Sequence, residues 1–122
     1  MTELWRQYTC ALAGWRHTCS LGYHRHHLVN LSKLRSNAQA KGFVERRAFE
    51  VFLPTVCGAA NISRLADTKE AQAILLRERM VLLGEDYVRG VWKKFSALWT
   101  GPAPDIDAIL ANLPDDAPRV IQ

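Results

Sequence analysis

All four histidines of the chain, His17, His24, His26 and His27, fall within eleven residues, with Cys19 and Tyr23 among them and Arg16 and Arg25 alongside. Neutral imidazole is a common metal ligand and titrates near pH 6.5 when unperturbed, so this crowding is where the sequence holds chemical potential. A tetrahedral zinc ion needs its ligands within about 2.0–2.3 Å of one point. His17 and His24 lie about 10 Å apart along a helix, too far to share an ion. A turn at Gly22 would fold Cys19 or His17 back against His24 or His26. The spacing matches no closed zinc pattern, being neither His-Glu-x-x-His nor a paired Cys-x-x-Cys. The sequence therefore assigns no metal and no cofactor. Should ligands converge at that turn, the candidates are His17, Cys19, His24 and His26. Otherwise the histidines read as a corner between two helices, one of them packed in the core, or as a pH-sensitive basic patch.

The cysteines, Cys10, Cys19 and Cys57, are odd in number. That argues against a disulfide framework and for a reducing intracellular compartment, the cytoplasm ahead of an organelle matrix. Each reads as a small buried hydrophobe. Cys19 with His17 or His24 is the nearest nucleophile–base pairing, and neighbours in sequence are poor grounds for a dyad. No P-loop, nucleophile elbow or dinucleotide fingerprint occurs, so no catalytic residue is assigned and the chain reads as a non-enzyme.

These residues need elements to hold them, and helical periodicity dominates the 122 residues. Leu4, Tyr8, Ala11, Leu12, Trp15 and Cys19 recur at threes and fours, predicting a helix over about 3–20 that breaks near Gly22. His27, Leu31, Leu34 and Ala38 predict a second, over about 24–40. A third apolar set, Phe49, Phe52, Leu53, Val56, Cys57 and Ala60, runs straight through Pro54 and implies a kink or a boundary there. Asp67-Thr68-Lys69-Glu70 resembles a capping box. The stripe Leu76, Met80, Leu83, Tyr87, Val91, Phe95, Leu98 then predicts one long helix over about 68–99, with Gly84 and Gly90 as weak points. Gly101-Pro102-Ala103-Pro104 reads as a linker, followed by a short amphipathic helix over about 105–113 and a loose tail. No stretch alternates with period two. The expected fold is all-α: a single-domain bundle of four to five helices over residues 1–100, with a C-terminal helical appendage over 101–122.

Charge is unevenly spread. Residues 1–50 hold eight Lys/Arg against three Asp/Glu, and residues 101–122 hold one against four. A basic front attracts nucleic acid, anionic lipid or an acidic protein face. Arg16, His24, Arg25, Lys33, Arg35, Arg46 and Arg47 form the candidate basic patch. Trp92, Phe95 and Trp99 widen the apolar face of the long helix, and aromatic side chains are favoured interface anchors. Ile106, Ile109 and Leu110 face the same way on an appendage too short to be helical alone, which must dock on its own bundle or on a partner. With no apolar run of about 18 residues, no membrane span is expected. The leading expectation is a non-enzymatic interaction protein, a small subunit, adaptor or inhibitor, that contacts another protein through Trp92, Phe95, Trp99, Ile106, Ile109 and Leu110. The alternative is a basic nucleic-acid-binding regulator. A distant third is a metal-binding protein built on the His17–His27 cluster.

Overall fold

A computed structural model describes residues 10–26, 28, 50–97 and 104–120. Pro54 shapes the middle of the chain. A residue before proline is pushed out of the α region, and Leu53 accordingly leaves the helical path. Thr55–Cys57 then forms a strand, β2, rich in β-branched side chains, which pairs antiparallel with β1, Tyr23–Arg25. The register is Tyr23↔Cys57, His24↔Val56 and Arg25↔Thr55. The ladder extends on one side through His26 N–H to the Pro54 carbonyl at 2.8 Å and Leu28 N–H to the Phe52 carbonyl at 2.9 Å. Ala11 N–H bonds the Thr55 carbonyl at 2.8 Å, so β2 is held from both edges.

The fold is therefore mixed, four α-helices with a two-stranded antiparallel sheet among the described residues, and the all-α expectation is corrected. Each strand has three residues, too few to show alternation. Residues 10–22, which overlap the helix expected over 3–20, instead form hydrogen-bonded turns over 10–15 followed by bends and irregular chain. Ala13 N–H bonds the Cys10 carbonyl and Trp15 N–H the Leu12 carbonyl, three residues back in each case. Such turns repeat side chains every three residues and so imitate a helical stripe. Where a helix is expected over 24–40, residues 24–25 are strand and His26 and Leu28 extend its ladder; residues 1–9, 27 and 29–49 lie outside the described residues.

Helix α1 (Gly58–Ile62) follows β2 directly, and a 3-10 turn over Leu65–Asp67 leads to α2 (Lys69–Leu83). Thr68 caps α2 with its Oγ1 accepting from Ala71 N–H at 3.2 Å, one residue after the expected Asp67. The expected long helix over 68–99 is two helices. Gly84 at φ 96° and ψ 130° ends α2 and opens α3 (Glu85–Ser96), a conformation a residue with a Cβ adopts only under strain. Glu85 and Asp86 then sit in the first turn of α3 and Lys93 and Lys94 in its last, complementing the helix dipole. Helix α4 spans Ile106–Leu110.

Helix α2 separates two cores. Leu76 and Met80 join Val51, Phe52, Val88, Val91, Trp92, Phe95 and Ile106 in the first. Ala71, Ile74 and Leu75 join Cys10, Leu12, Trp15, Val56, Cys57, Ala60 and Ala66 in the second. The Phe52 ring lies 5.2 Å from Trp92 and 4.8 Å from Phe95. No helix among the described residues is long and apolar enough to cross a membrane.

The C-terminal appendage docks on its own helices. Trp92 Nε1–H donates to the Pro104 carbonyl at 2.8 Å, and Arg89 bridges Glu85 and Asp107, both at 3.0 Å. Trp92→Phe keeps a six-membered ring in the core but removes the donor together with the rest of the indole. A loss of about 2–4 kcal/mol in chemical denaturation is expected, part of it the cavity, with amide exchange speeding most over 104–110; unchanged exchange there would show that the bond does not hold the appendage.

Candidate metal centre

Three stretches of chain converge at the end of β2. Cys10 precedes the first turn, His17 and Cys19 follow it, and Cys57 ends β2. Their ligand atoms, three Sγ and His17 Nε2, all lie within 4.8 Å of one another. Nε2 is 3.1 Å from Cys57 Sγ, 3.5 Å from Cys19 Sγ and 4.0 Å from Cys10 Sγ. A tetrahedral zinc ion with ordinary bond lengths separates sulfur from nitrogen by about 3.6 Å and sulfur from sulfur by about 3.8 Å. The three observed nitrogen–sulfur distances straddle that value.

The imidazole is aimed by its other nitrogen. Nδ1 lies 2.8 Å from the Trp15 carbonyl, which can only accept, so Nδ1 carries the proton. With Nδ1 so engaged, Nε2 is the nitrogen that faces the sulfurs, the orientation a ligating histidine takes from an outer hydrogen bond. Arg16 at φ 55° and Leu21 at φ 64° bracket the His17–Cys19 segment. Left-handed backbone costs an L-residue about 1–2 kcal/mol, and strain of this kind gathers where side chains must be aimed.

Gly58 lets the two halves meet. A Cβ there would lie 2.0 Å from the Leu21 carbonyl oxygen and 2.8 Å from that residue's Cβ. In that space Gly58 N–H bonds the Gly22 carbonyl at 2.9 Å and Ala59 N–H bonds the Ser20 carbonyl at 3.0 Å. Ala60 N–H points at Cys57 Sγ from 3.4 Å.

The thiols differ electrostatically. Burial pushes the Cys10 thiol up to about 12, against the backbone donors of Cys57 and Leu12. Burial also raises Cys19 above its ordinary value. At Cys57 burial acts the same way but is outweighed by the N–H groups of Ala60 and Ser20 together with His17 and Cys19, which bring it to about 6. Cys10 and Cys57 are buried, His17 is half-buried and Cys19 is exposed, so the cluster opens to solvent on the Cys19 side.

Of the four candidate ligands from the sequence, the structure brings together His17 and Cys19. His24 is exposed, its Nδ1 accepting from Asn61 Nδ2 at 3.0 Å. His26 is buried and satisfied, its Nε2 accepting from Gln72 Nε2–H at 2.9 Å with Asp67 at 3.8 Å. Cys10 and Cys57 complete the set and were assigned to the core. The available signal was their number: three cysteines and a histidine make one closed zinc set.

The other candidate residues are dispersed. Trp92, Phe95 and Ile106 are buried in the first core, with Ile109 and Leu110 packed against it. Trp99 lies outside the described residues, as do Lys33, Arg35, Arg46 and Arg47. Arg16 stacks on Trp15 and bonds Asp116 through two contacts of 3.2 Å, and Arg25 is paired with Glu50 and the Leu53 carbonyl. Searches of known protein families, curated proteins and solved structures find no match to this chain.

Gly58→Ala and Gly90→Ala form a matched pair. The first drives a methyl into backbone and should destabilise by at least about 3 kcal/mol, the scale of severe overpacking. A Cβ at Gly90 meets nothing within 4 Å, and alanine there should stabilise α3 by up to about 1 kcal/mol. Equal melting temperatures for the two variants would contradict the close approach at Gly58.

Proposed function

We propose that Cys10, His17, Cys19 and Cys57 bind one zinc ion, and that the protein is a non-enzymatic interaction protein whose N-terminal loop is held in shape by that metal. The observation that carries this reading is the convergence of three thiol sulfurs and one imidazole nitrogen within 4.8 Å. Thiolate-rich tetrahedral sets favour zinc over harder cations. All four positions of a tetrahedral ion are taken by protein atoms, and closed sites of this kind are structural rather than catalytic.

The physical task of the ion follows from its surroundings. Residues 10–22 are turns, bends and irregular chain with little apolar mass beyond Leu12 and Trp15. A cross-link from Cys19 to Cys57 closes a loop whose chain entropy is worth about 4 kcal/mol in the unfolded state. The loop so fixed carries Leu21, 66% exposed, and leads into β1 at Tyr23, 55% exposed; it abuts α1, where Ile62 is 67% exposed. Exposed apolar side chains on a rigid loop support a role in binding another macromolecule. The alternative, phosphate contact by the basic patch, draws less support, because the described guanidiniums of Arg16 and Arg25 are engaged by carboxylates.

Untagged protein purified without chelators should carry one zinc per chain by native mass spectrometry. Cys57→Ser should abolish zinc retention and lower the melting temperature. Metal-free protein whose melting temperature is the same with zinc and with a chelator would overturn the reading. Zinc uptake also has a defined pH dependence. Near neutrality Cys57 is already largely thiolate, while Cys10 and Cys19 hold their protons. Binding should therefore release about two protons, and affinity should rise about 100-fold from pH 7 to pH 8 in chelator competition. A flat profile would contradict thiolate ligation by all three cysteines.

A further inference from the structure

The ligands differ in their access to solvent. Cys10 and Cys57 are buried, while Cys19 stands exposed at the mouth of the cluster. Cys19 and Cys57 also share one imidazole edge, at 3.5 Å and 3.1 Å from His17 Nε2, with Cys10 the most distant sulfur at 4.0 Å. A small oxidant arriving from water meets Cys19 first; both other sulfurs lie within 4.8 Å of it, and Cys57 is the one nearer the shared His17 Nε2.

Resting on the metal reading above, we propose that the centre is a peroxide-responsive switch in which Cys19 is oxidised by a hydroperoxide and then joined to Cys57, expelling the zinc. The electrons balance over two displacements. The Cys19 thiolate attacks one peroxide oxygen, the O–O bond breaks, and Cys19 sulfenic acid and hydroxide form. The Cys57 thiolate attacks the Cys19 sulfur, the S–O bond breaks, and a disulfide and a second hydroxide result. Both hydroxides take up protons, so with hydrogen peroxide as the oxidant one peroxide is reduced to two waters as two thiolates give up two electrons. Zinc keeps only Cys10 and His17 and dissociates, because two ligands do not close a tetrahedral site. The new bond still ties the 17–22 turn to the end of β2, so the loop trades its metal link for a covalent one. What it loses is the hold on Cys10 and on the first turn.

The test uses the full-length, zinc-loaded chain and hydrogen peroxide. A colorimetric chelator follows zinc release, a thiol reagent counts lost thiols, and peptide mapping locates the disulfide. The expected result is one zinc released per two thiols lost, a Cys19–Cys57 linked peptide, and recovery on adding dithiothreitol and zinc. Cys19→His keeps four ligands while removing the accessible sulfur, and should slow zinc release about tenfold or more. A chain that holds no zinc before peroxide is added overturns the metal reading together with the switch. A zinc-loaded chain that keeps its zinc in peroxide, loses it equally fast with Cys19→His, or links Cys10 to Cys57 overturns the switch alone.

Discussion

The close approach of the 17–22 turn to the junction of β2 and α1 is the contact on which the second half of the structure depends. Backbone meets backbone there, with two hydrogen bonds of 2.9 and 3.0 Å and no room for a side chain at Gly58. The same approach carries Cys57 to His17 and Cys19. Without it the thiols would belong to separate segments, Cys10 and Trp15 would lose their seat against Val56 and Ala60, and α2 would be left with one apolar face uncovered. The proposed metal cross-link would reinforce this glycine contact at a place with little regular secondary structure.

Helix α2 transmits that arrangement to the rest of the molecule. One side packs on the turns and the sheet, the other on α3 and α4. The first core closes through ordinary aromatic and aliphatic packing around Phe52, with Trp92 tethering the appendage. The C-terminal segment returns to the second core, where Leu113 and Ala117 pack and Asp116 meets Arg16. The guanidinium of Arg16, and with it Trp15, holds the Asp116 carboxyl below its ordinary range. Arg16 precedes His17 directly, so the tail, the left-handed turn and the imidazole form one connected set of contacts.

The helical part was legible because its signal is local. The stripe from Leu76 to Phe95 reports α2 and α3, and the appendage was visible in Ile106, Ile109 and Leu110. The break at Gly84 was visible only as a weak point, because periodicity continues across it and the positive φ does not show in the residue type. The chain over 10–22 imitates a helix in sequence, since turns closed on the carbonyl three residues back place Leu12 and Trp15 much as a helix would. The sheet escaped notice, because strands of three residues alternate too briefly to register. The histidine cluster directed attention to the right segment, yet two of its four members serve other ends: His26 is a satisfied core residue and His24 sits on the surface. Cys57 reaches His17 from 40 residues away in sequence, a proximity that only the tertiary fold creates.

Zinc K-edge X-ray absorption on the purified chain reads the ligand set without assuming function. Convergence of Cys10, His17, Cys19 and Cys57 on one ion predicts three sulfurs at about 2.3 Å and one nitrogen at about 2.0 Å. A first shell of oxygen and nitrogen alone, or one with fewer than three sulfurs, would contradict it.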